Sequence, residues 1–242
     1  MIRDAWMRLP GMVRVLLPGL LVSGLALWAF AEILEEVLER EAFEGIDEPL
    51  IAWFAENRSE GVTTAMEWIT HAFGPVVLPI IIAIGCGIWG WRTKSWRDPV
   101  MVVSAMIFST VTSMVVKMIV ERPRPADELQ VIPGFETSFS FPSGHTTGAA
   151  TLVLVTGYLL WRHERRTRVL VVWFLSSLAI IALVATTRMY LGYHFLSDVI
   201  AGACLGLFTL GLVICADRWL DRRATLPSDQ AWGDVTEPVD RG

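Results

Sequence analysis

The sequence predicts an all-α, polytopic membrane protein with about six transmembrane helices. Of its 242 residues, 53% are hydrophobic, and the mean hydropathy of +0.50 is too high for a soluble domain of this length. The apolar residues form six spans that are long enough to cross a hydrocarbon core. The basic residues are segregated between loops, so the formal net charge of −5 by itself excludes little.

The six predicted spans follow one another along most of the chain. The fourth and fifth are short, which tilt or snorkelling side chains at their ends can accommodate. Tryptophans near several span ends are typical of the interfacial aromatic belt, and we interpret them as anchors. The spans are residues 15–34, 66–91, 99–120, 145–161, 169–187 and 195–216.

The segments that flank these spans predict the remaining organisation. The first span, with Ala29-Phe30-Ala31, resembles a cleavable signal peptide, but its apolar stretch is long for one, so we interpret it as a retained helix. The acidic segment 35–60 carries spaced apolar residues and predicts an amphipathic helix at the outer interface. We expect residues 1–223 to form one membrane domain, and the polar residues 224–242 to be a disordered cytoplasmic tail.

Positive charge is distributed unevenly between the two sides of the predicted bundle. Most of the 20 Lys and Arg residues lie in the N-terminal segment, the loops 92–97 and 162–168, and the C-terminal segment. By the positive-inside rule, these parts are cytoplasmic. The sequence therefore predicts a multi-pass protein of the plasma membrane with both termini in the cytoplasm and its candidate site at the outer face.

The sequence predicts neither a disulfide nor a metal site. Cys86, Cys204 and Cys215 lie in apolar runs without CxxC spacing, so we expect them to have packing roles. The outer side carries no carboxylate cluster suited to a two-metal site. We therefore expect no metal and no cofactor.

His194 and Asp198 are the first candidate functional pair. They lie four residues apart at the start of the sixth span, so a helix places them on one face. A carboxylate beside an imidazole can hold the Nδ1 proton and leave Nε2 as a nucleophile or base. The alternative is an ion pair that only fixes the helix.

A second set of candidates directly precedes the fourth span. Ser143 can cap the helix there, and Gly144 lets a ligand approach the backbone closely. Free N–H groups at a helix N-terminus bind phosphate well. His145 would stand beside such an anion, placed to protonate a leaving oxygen. The alternative is a capped helix with a surface histidine.

Three cations complete the pattern. Lys117 lies near the outer end of the third span, Arg124 in the loop that follows, and Arg188 at the end of the fifth span. Arginine forks suit phosphate oxygens, and lysine acts on them as a point charge. Interfacial snorkelling explains isolated cations, but it does not explain why three of them flank two histidines on the same side.

Together these residues resemble the signatures of the type 2 phosphatidic acid phosphatase (PAP2) superfamily. The signatures are Lys-x6-Arg-Pro, Pro-Ser-Gly-His and Ser-Arg-x5-His-x3-Asp. This chain has KMIVERPRP, PSGH and TRMYLGYHFLSD in the same order between residues 117 and 198. Thr187 replaces the usual Ser and keeps the hydroxyl group.

The resemblance implies a role for each matching residue. His194 would be the nucleophile that forms a phosphohistidine, Asp198 would orient it, and His145 would be the general acid. Phosphoryl transfer depends mainly on charge stabilisation, which cations and helix N–H groups can supply without magnesium. The residues implied to hold the phosphoryl oxygens are Lys117, Arg124, Ser143, Gly144 and Arg188.

These expectations favour a metal-independent lipid phosphatase with an outward-facing site. The resemblance implies polyprenyl diphosphate, phosphatidate or phosphatidylglycerophosphate as substrates, and an outward site favours undecaprenyl diphosphate slightly. The alternatives are a lipid phosphotransferase, which would use an alcohol in place of water, and an anion transporter. The expected partners are the lipid substrate and membrane lipids, with no nucleic acid; the sequence does not predict the oligomeric state.

Overall fold

The computed structural model describes residues 11–39 and 44–225, and over those residues the protein is all-helical. Most of the predicted tail, residues 226–242, lies outside the described part of the chain. A single 3₁₀ turn, Asp127–Leu129, lies in the long loop 121–143. The helices are α1 (Gly11–Glu39), α2 (Glu44–Glu56), α3 (Glu60–Ala72), α4 (Val77–Thr93), α5 (Arg97–Val120), α6 (Gly144–Glu164), α7 (Thr167–Tyr190) and α8 (Leu196–Thr225).

The predicted membrane fold is confirmed, but the count of six spans was only approximate. Among the described helices, α1, α5, α7 and α8 are each long and apolar enough to cross a membrane. Helices α3 and α4 meet the same requirement only as a pair bent by 52°. The predicted second span, 66–91, therefore contains a break, which falls at Gly74-Pro75, where proline lacks the N–H that a continuous helix needs.

Helix α6 was predicted as the fourth span, but it is too polar to qualify by the same criterion. The reason is its central position, because it packs against α5, α7 and α8. Its threonines at 146, 147 and 151 are buried in those contacts. A helix that is covered by other helices can carry small polar residues where a lipid-facing helix needs apolar ones.

Helices α1 and α8 form the most extensive contact in the described bundle. Small residues let the two backbones come close, as in other membrane helix pairs. A Cβ atom placed on Gly211 would lie 2.6 Å from the Gly19 carbonyl oxygen and would also collide with Ser23. The Ser23 hydroxyl donates to the Phe208 carbonyl at 3.1 Å. The first helix is thus packed directly on the last one.

Close packing also joins the starts of α6 and α8, which carry the candidate residues. A Cβ atom on Gly202 would lie 2.7 Å from the Ser143 carbonyl oxygen. The Ser143 N–H donates to the Asp198 carbonyl at 2.9 Å. The two helix N-termini therefore face each other at one end of the bundle.

The predicted outer amphipathic helix, 35–60, is divided in the structure. Helix α1 extends to Glu39, residues 40–43 lie outside the described part, and α2 is a separate helix. Helix α2 does not simply rest on the interface, because Ile51 and Asp47 are buried. Ile51 packs with Met189 and Phe195. Tertiary packing against the candidate site therefore sets the position of α2.

The opposite end of the bundle has its own charged network. The carboxylate of Asp217 is buried and accepts from the Tyr158 hydroxyl at 2.8 Å and from Arg97 at 2.9 Å. Arg162 pairs with both Asp217 and Asp98. This network joins α5, α6 and α8 at the end away from the candidate site.

Candidate active site

All of the predicted site residues lie at one end of the bundle, where α5 and α7 end and α6 and α8 begin. His194 lies in the short link between α7 and α8 and is 1% exposed. Gly192 has a φ of 78°, and any Cβ atom there would collide with the Leu129 carbonyl. Only glycine fits this turn without strain, and the turn brings His194 back over the bundle end.

The imidazole of His194 is held on its Nδ1 side. Nδ1 lies 3.4 Å from Asp198 Oδ2 and 3.3 Å from the Ser140 hydroxyl oxygen. The same Asp198 oxygen accepts from Ser140 and from the Phe195 N–H at 2.9 Å. An Nδ1 proton shared with this carboxylate leaves the Nε2 lone pair for chemistry. Ser140 was not identified from the sequence.

The Nε2 side of His194 faces the predicted cations. Arg124 Nη1 lies 3.3 Å from Nε2 and donates to the Tyr193 carbonyl at 2.7 Å. Arg188 is 1% exposed and donates to the Thr70 hydroxyl at 2.8 Å, while its buried Nε has no partner among the described residues. A buried guanidinium with an unused N–H suits an anion that enters from outside.

Lys117 has a different role from the two arginines in this structure. Its ammonium group donates to the carbonyls of Phe139 and Ser140, the latter at 3.1 Å. It therefore fixes the loop segment that carries Ser140, while its charge acts on His194 from a distance. A direct contact between Lys117 and a phosphoryl oxygen remains a prediction.

Glu136 links the two arginines and was not identified from the sequence. Its carboxylate lies 2.7 Å from Arg124 Nη2 and also pairs with Arg188. Burial alone would raise the pKa of Glu136, but the charges of Arg188 and Arg124 outweigh burial and lower it to about 2. The glutamate is therefore ionised and occupies the anion position between two guanidinium groups.

The electrostatic surroundings keep His194 neutral. Burial lowers the pKa of His194 well below its ordinary value of 6.5, and Arg124, Arg188 and Lys117 lower it further. The opposing charge of Glu136 is not enough to restore it. A neutral imidazole has an unprotonated Nε2, which a nucleophile needs; here its lone pair faces the N–H of Arg124 at 3.3 Å.

The start of α6 forms another side of the site. The Ser143 side chain is fully buried and caps the helix by accepting from Thr146. Since the Ser143 N–H bonds to Asp198, Ser143 builds the frame of the site, and its contact with phosphate remains a prediction. Gly144 is exposed, and no atom lies within 4 Å of a Cβ atom built there. Half-buried His145 lies beside the break between α3 and α4, with Nε2 3.7 Å from a Cβ atom built on Gly74.

A cavity of about 320 Å³ lies beside the charged cluster on the side of the loop. Arg124, Glu136 and Ser138 contribute to its lining. The cavity is open to the protein surface and reaches Arg124 and Glu136. A phosphorylated headgroup could therefore reach the Arg124 guanidinium without entering the apolar core.

Arg122 and Asp47, to which no sequence motif pointed, complete the site from the side of α2. Arg122 lies 2.7 Å from Asp198 Oδ1 and 2.9 Å from Asp47 Oδ2. One signal was available for Asp47, because it stands four residues before the buried Ile51 on the same helical face. An acid on the apolar face of a helix indicates a buried partner.

Comparison with known proteins adds independent findings. A model described as the PAP2 superfamily matches residues 98–222. Phosphatidylglycerophosphatase B of Bacillus subtilis (strain 168) is 32% identical over 204 residues, which are 81% of this chain and 96% of the relative. Lipid A 4'-phosphatase of Porphyromonas gingivalis is 28% identical over 140 residues, 53% of this chain and 56% of that protein.

A similar fold is known from a solved structure. The crystal structure of a transmembrane PAP2-type phosphatidylglycerolphosphate phosphatase from Bacillus subtilis superposes with a TM-score of 0.75 at 28% sequence identity. The match covers 83% of this chain and 98% of that one. The likeness therefore extends over the helical bundle and includes the end that holds the candidate site.

Proposed function

This chain belongs to the PAP2 superfamily and is a membrane lipid phosphatase, and we propose that it dephosphorylates phosphatidylglycerophosphate through a phosphohistidine on His194. The observation that carries the proposed mechanism is the position of His194 Nε2, 3.3 Å from an arginine that already holds an anion. A relative and a solved structure, both from Bacillus subtilis, resemble the chain over most of its length and are named for this substrate.

The first step of the proposed reaction is attack on phosphorus. The lone pair of neutral His194 Nε2 forms a bond to phosphorus, and the bond to the lipid oxygen breaks. Burial and the charge of Arg188 lower the pKa of His145 to about 3, so the negative charge of the bound phosphate is needed to protonate it. His145 then donates its proton to the lipid oxygen, and the lipid leaves as an alcohol. Arg124 and Arg188 stabilise the charge on the equatorial oxygens, together with the N–H groups at the start of α6.

The second step returns the enzyme to its starting state. Neutral His145 takes a proton from water, the water oxygen attacks the phosphohistidine, and the bond between nitrogen and phosphorus breaks. Inorganic phosphate leaves, and His145 carries a proton again. Asp198 and Ser140 keep the Nδ1 side of His194 fixed during both steps.

A panel of purified lipid phosphates tests the proposed substrate. Phosphatidylglycerophosphate, phosphatidate and undecaprenyl diphosphate are compared by phosphate release in detergent with excess EDTA present. We expect the highest kcat/KM for phosphatidylglycerophosphate, and activity in EDTA, since arginines supply the charge stabilisation. A higher value for undecaprenyl diphosphate would instead assign the enzyme to carrier-lipid dephosphorylation, and an added alcohol that accepts the phosphate would identify a phosphotransferase.

Rapid quenching tests the proposed intermediate separately. With a substrate labelled in its phosphate, wild-type protein should retain an acid-labile, base-stable label before steady state. His194→Ala should retain none. Label on the wild-type protein that survives His194→Ala would refute His194 as the nucleophile.

A further inference from the structure

Arg122 contacts the carboxylate of Asp198 on the side opposite His194. Asp198 uses Oδ2 for His194, Ser140 and the Phe195 N–H. Its other oxygen, Oδ1, lies 2.7 Å from Arg122 Nη1. The same Nη1 donates to the Ser197 hydroxyl at 2.6 Å. Both oxygens of a fully buried carboxylate are therefore occupied.

Helix α2 fixes the other half of the Arg122 guanidinium. Nη2 lies 2.9 Å from Asp47 Oδ2, and the guanidinium carbon lies 4.4 Å above the Phe195 ring. Asp47 is 1% exposed, and its other oxygen accepts from the Ser197 N–H at 3.0 Å. Asp47 thus binds the first turn of α8 and Arg122 together.

The charge of Arg122 affects His194 through Asp198. An anionic carboxylate beside an imidazole favours the protonated imidazole, which cannot attack phosphorus. Arg122 draws part of that negative charge away from the imidazole, whereas Asp47 compensates the positive charge of Arg122. The charged and titratable groups around His194 are Lys117 on α5, Arg124 and Glu136 on loop 121–143, His145 on α6, Arg188 on α7 and Asp198 on α8, with Arg122 and Asp47 behind Asp198.

We propose that Arg122 and Asp47 act as one positioning unit, which holds Asp198 in place and keeps His194 unprotonated. This inference rests on the proposed role of His194 as the nucleophile. Neither residue belongs to the three signatures, and the guanidinium of Arg122 is already bound to Asp198, Ser197 and Asp47. Their effect should therefore appear in kcat and in its pH dependence, while KM stays nearly constant.

The first test compares Arg122→Gln with wild type on a soluble phosphate monoester, so that the identity of the lipid does not matter. Loss of the positive charge should raise the pKa of His194. The acid limb of the plot of kcat against pH should therefore move to higher pH by about one pH unit. The loss of activity should thus be about tenfold greater at the acid end than on the plateau. Arg122→Lys should leave the limb where it is in wild type.

Arg97→Gln is the matched control, because Arg97 also pairs with a buried aspartate, Asp217, at the opposite end of the bundle. It should lower thermal stability without moving the acid limb. If Arg122→Gln lowers kcat equally at every pH, Arg122 has only a structural role and the proposal is overturned.

The second test asks whether Arg122 and Asp47 form a unit. Asp47→Asn should lower kcat without raising KM, and the double variant with Arg122→Gln should lose little more than Arg122→Gln alone. Losses that multiply would show that the two residues act independently and would refute the unit. If Arg122→Gln cannot be purified folded, a wild-type kcat in Asp47→Asn would overturn the proposal equally.

Failure of the positioning unit and failure of His194 as the nucleophile would give different experimental results. Phosphohistidine trapping on the wild-type protein tests His194 without any change to Arg122. A trapped intermediate together with an unmoved acid limb in Arg122→Gln would reject the positioning unit alone. Absence of the intermediate would reject the nucleophile, whatever the Arg122 variants do.

Discussion

The proposed reactivity of His194 depends on its surroundings. Imidazole is half protonated near pH 6.5 in water, and a carboxylate neighbour normally increases that protonation. Here burial and the adjacent cations act in the opposite direction and lower the pKa of His194. Asp198 can therefore hold the Nδ1 proton of His194 while the imidazole stays neutral at physiological pH.

The two histidines should respond differently to removal. His194→Ala should abolish turnover, because it removes the Nε2 atom that is proposed to attack phosphorus. His145→Ala should retain part of the rate with an aryl phosphate, whose leaving group needs no proton. Steady-state assays on folded, purified variants check this, and substantial turnover by His194→Ala would contradict it.

The pH dependence follows from the direction of the shift on His194. Because the pKa of His194 lies below 6.5, its neutral form persists into mildly acidic solution, and kcat/KM should fall only below pH 6.5.

Asp198→Asn should leave KM nearly unchanged, because the phosphate contacts remain. It should lower kcat by about 10²–10⁴-fold through loss of the tautomer. A variant with altered KM and normal kcat would make Asp198 a binding residue.

Glu136 should compete with phosphate for its two arginines. Glu136→Gln removes the internal anion, so we expect inorganic phosphate to inhibit the variant at a concentration about tenfold lower than wild type. Glu128→Gln, an exposed change in the same loop, is the control; equal phosphate inhibition in both variants would contradict the competition.

Glu136 also affects the stability of the fold. Because the pKa of Glu136 is depressed to about 2 from 4.5, its ion pairs stabilise the fold above about pH 4.5, and this contribution is lost toward pH 2.

At the scale of helices and loops, the sequence predicted the helix ends at the candidate site to within a few residues and predicted the loop between them poorly. The eight predicted site residues come together because each lies at or near a helix end, and consecutive antiparallel helices alternate their ends. Glu136 and Ser140 lie in loop 121–143, which has no periodicity to interpret. Their positions depend on contacts with Arg124, Arg188 and Asp198, which local sequence does not encode.

The position of α2 could not be predicted for the same reason. Composition correctly indicated an amphipathic segment, but it could not identify what the apolar face covers. In the structure that face lies on Met189 and Phe195, and Asp47 reaches Arg122. Its partners are far away in sequence, so only the folded chain shows that α2 packs against the candidate site.

The packing of α1 on α8 gives a prediction at this scale. Gly211→Ala places a methyl group against Gly19 and Ser23, so the two helices must separate. We expect a lower thermal midpoint in detergent, by several degrees. Gly24→Ala is the matched control, because nothing lies within 4 Å of a Cβ atom there, and alanine favours the helix. Equal midpoints for both variants would show that the contact contributes little to stability.

At the scale of the whole molecule, the two ends of the bundle carry charge in different ways. At one end, buried Asp217 and Asp98 neutralise arginines of neighbouring helices, which is a structural use of charge. At the other end, Arg124 and Arg188 share one carboxylate among the described residues, that of Glu136, and keep capacity for an external anion. The buried arginines of the candidate site are therefore incompletely neutralised by fixed neighbours.

The orientation of the bundle determines which leaflet supplies the substrate, and it gives the last prediction. The distribution of basic residues predicts that loop 162–168 is cytoplasmic and that loop 121–143 is outside. Thr167 and Glu128 are both exposed, so single cysteines at these positions, in a chain without Cys86, Cys204 and Cys215, can be compared directly. In intact cells an impermeant thiol reagent should label the cysteine at 128, and label the one at 167 only after the membrane is opened. The reverse pattern would place the arginines, and with them the proposed lipid substrate, at the cytoplasmic leaflet.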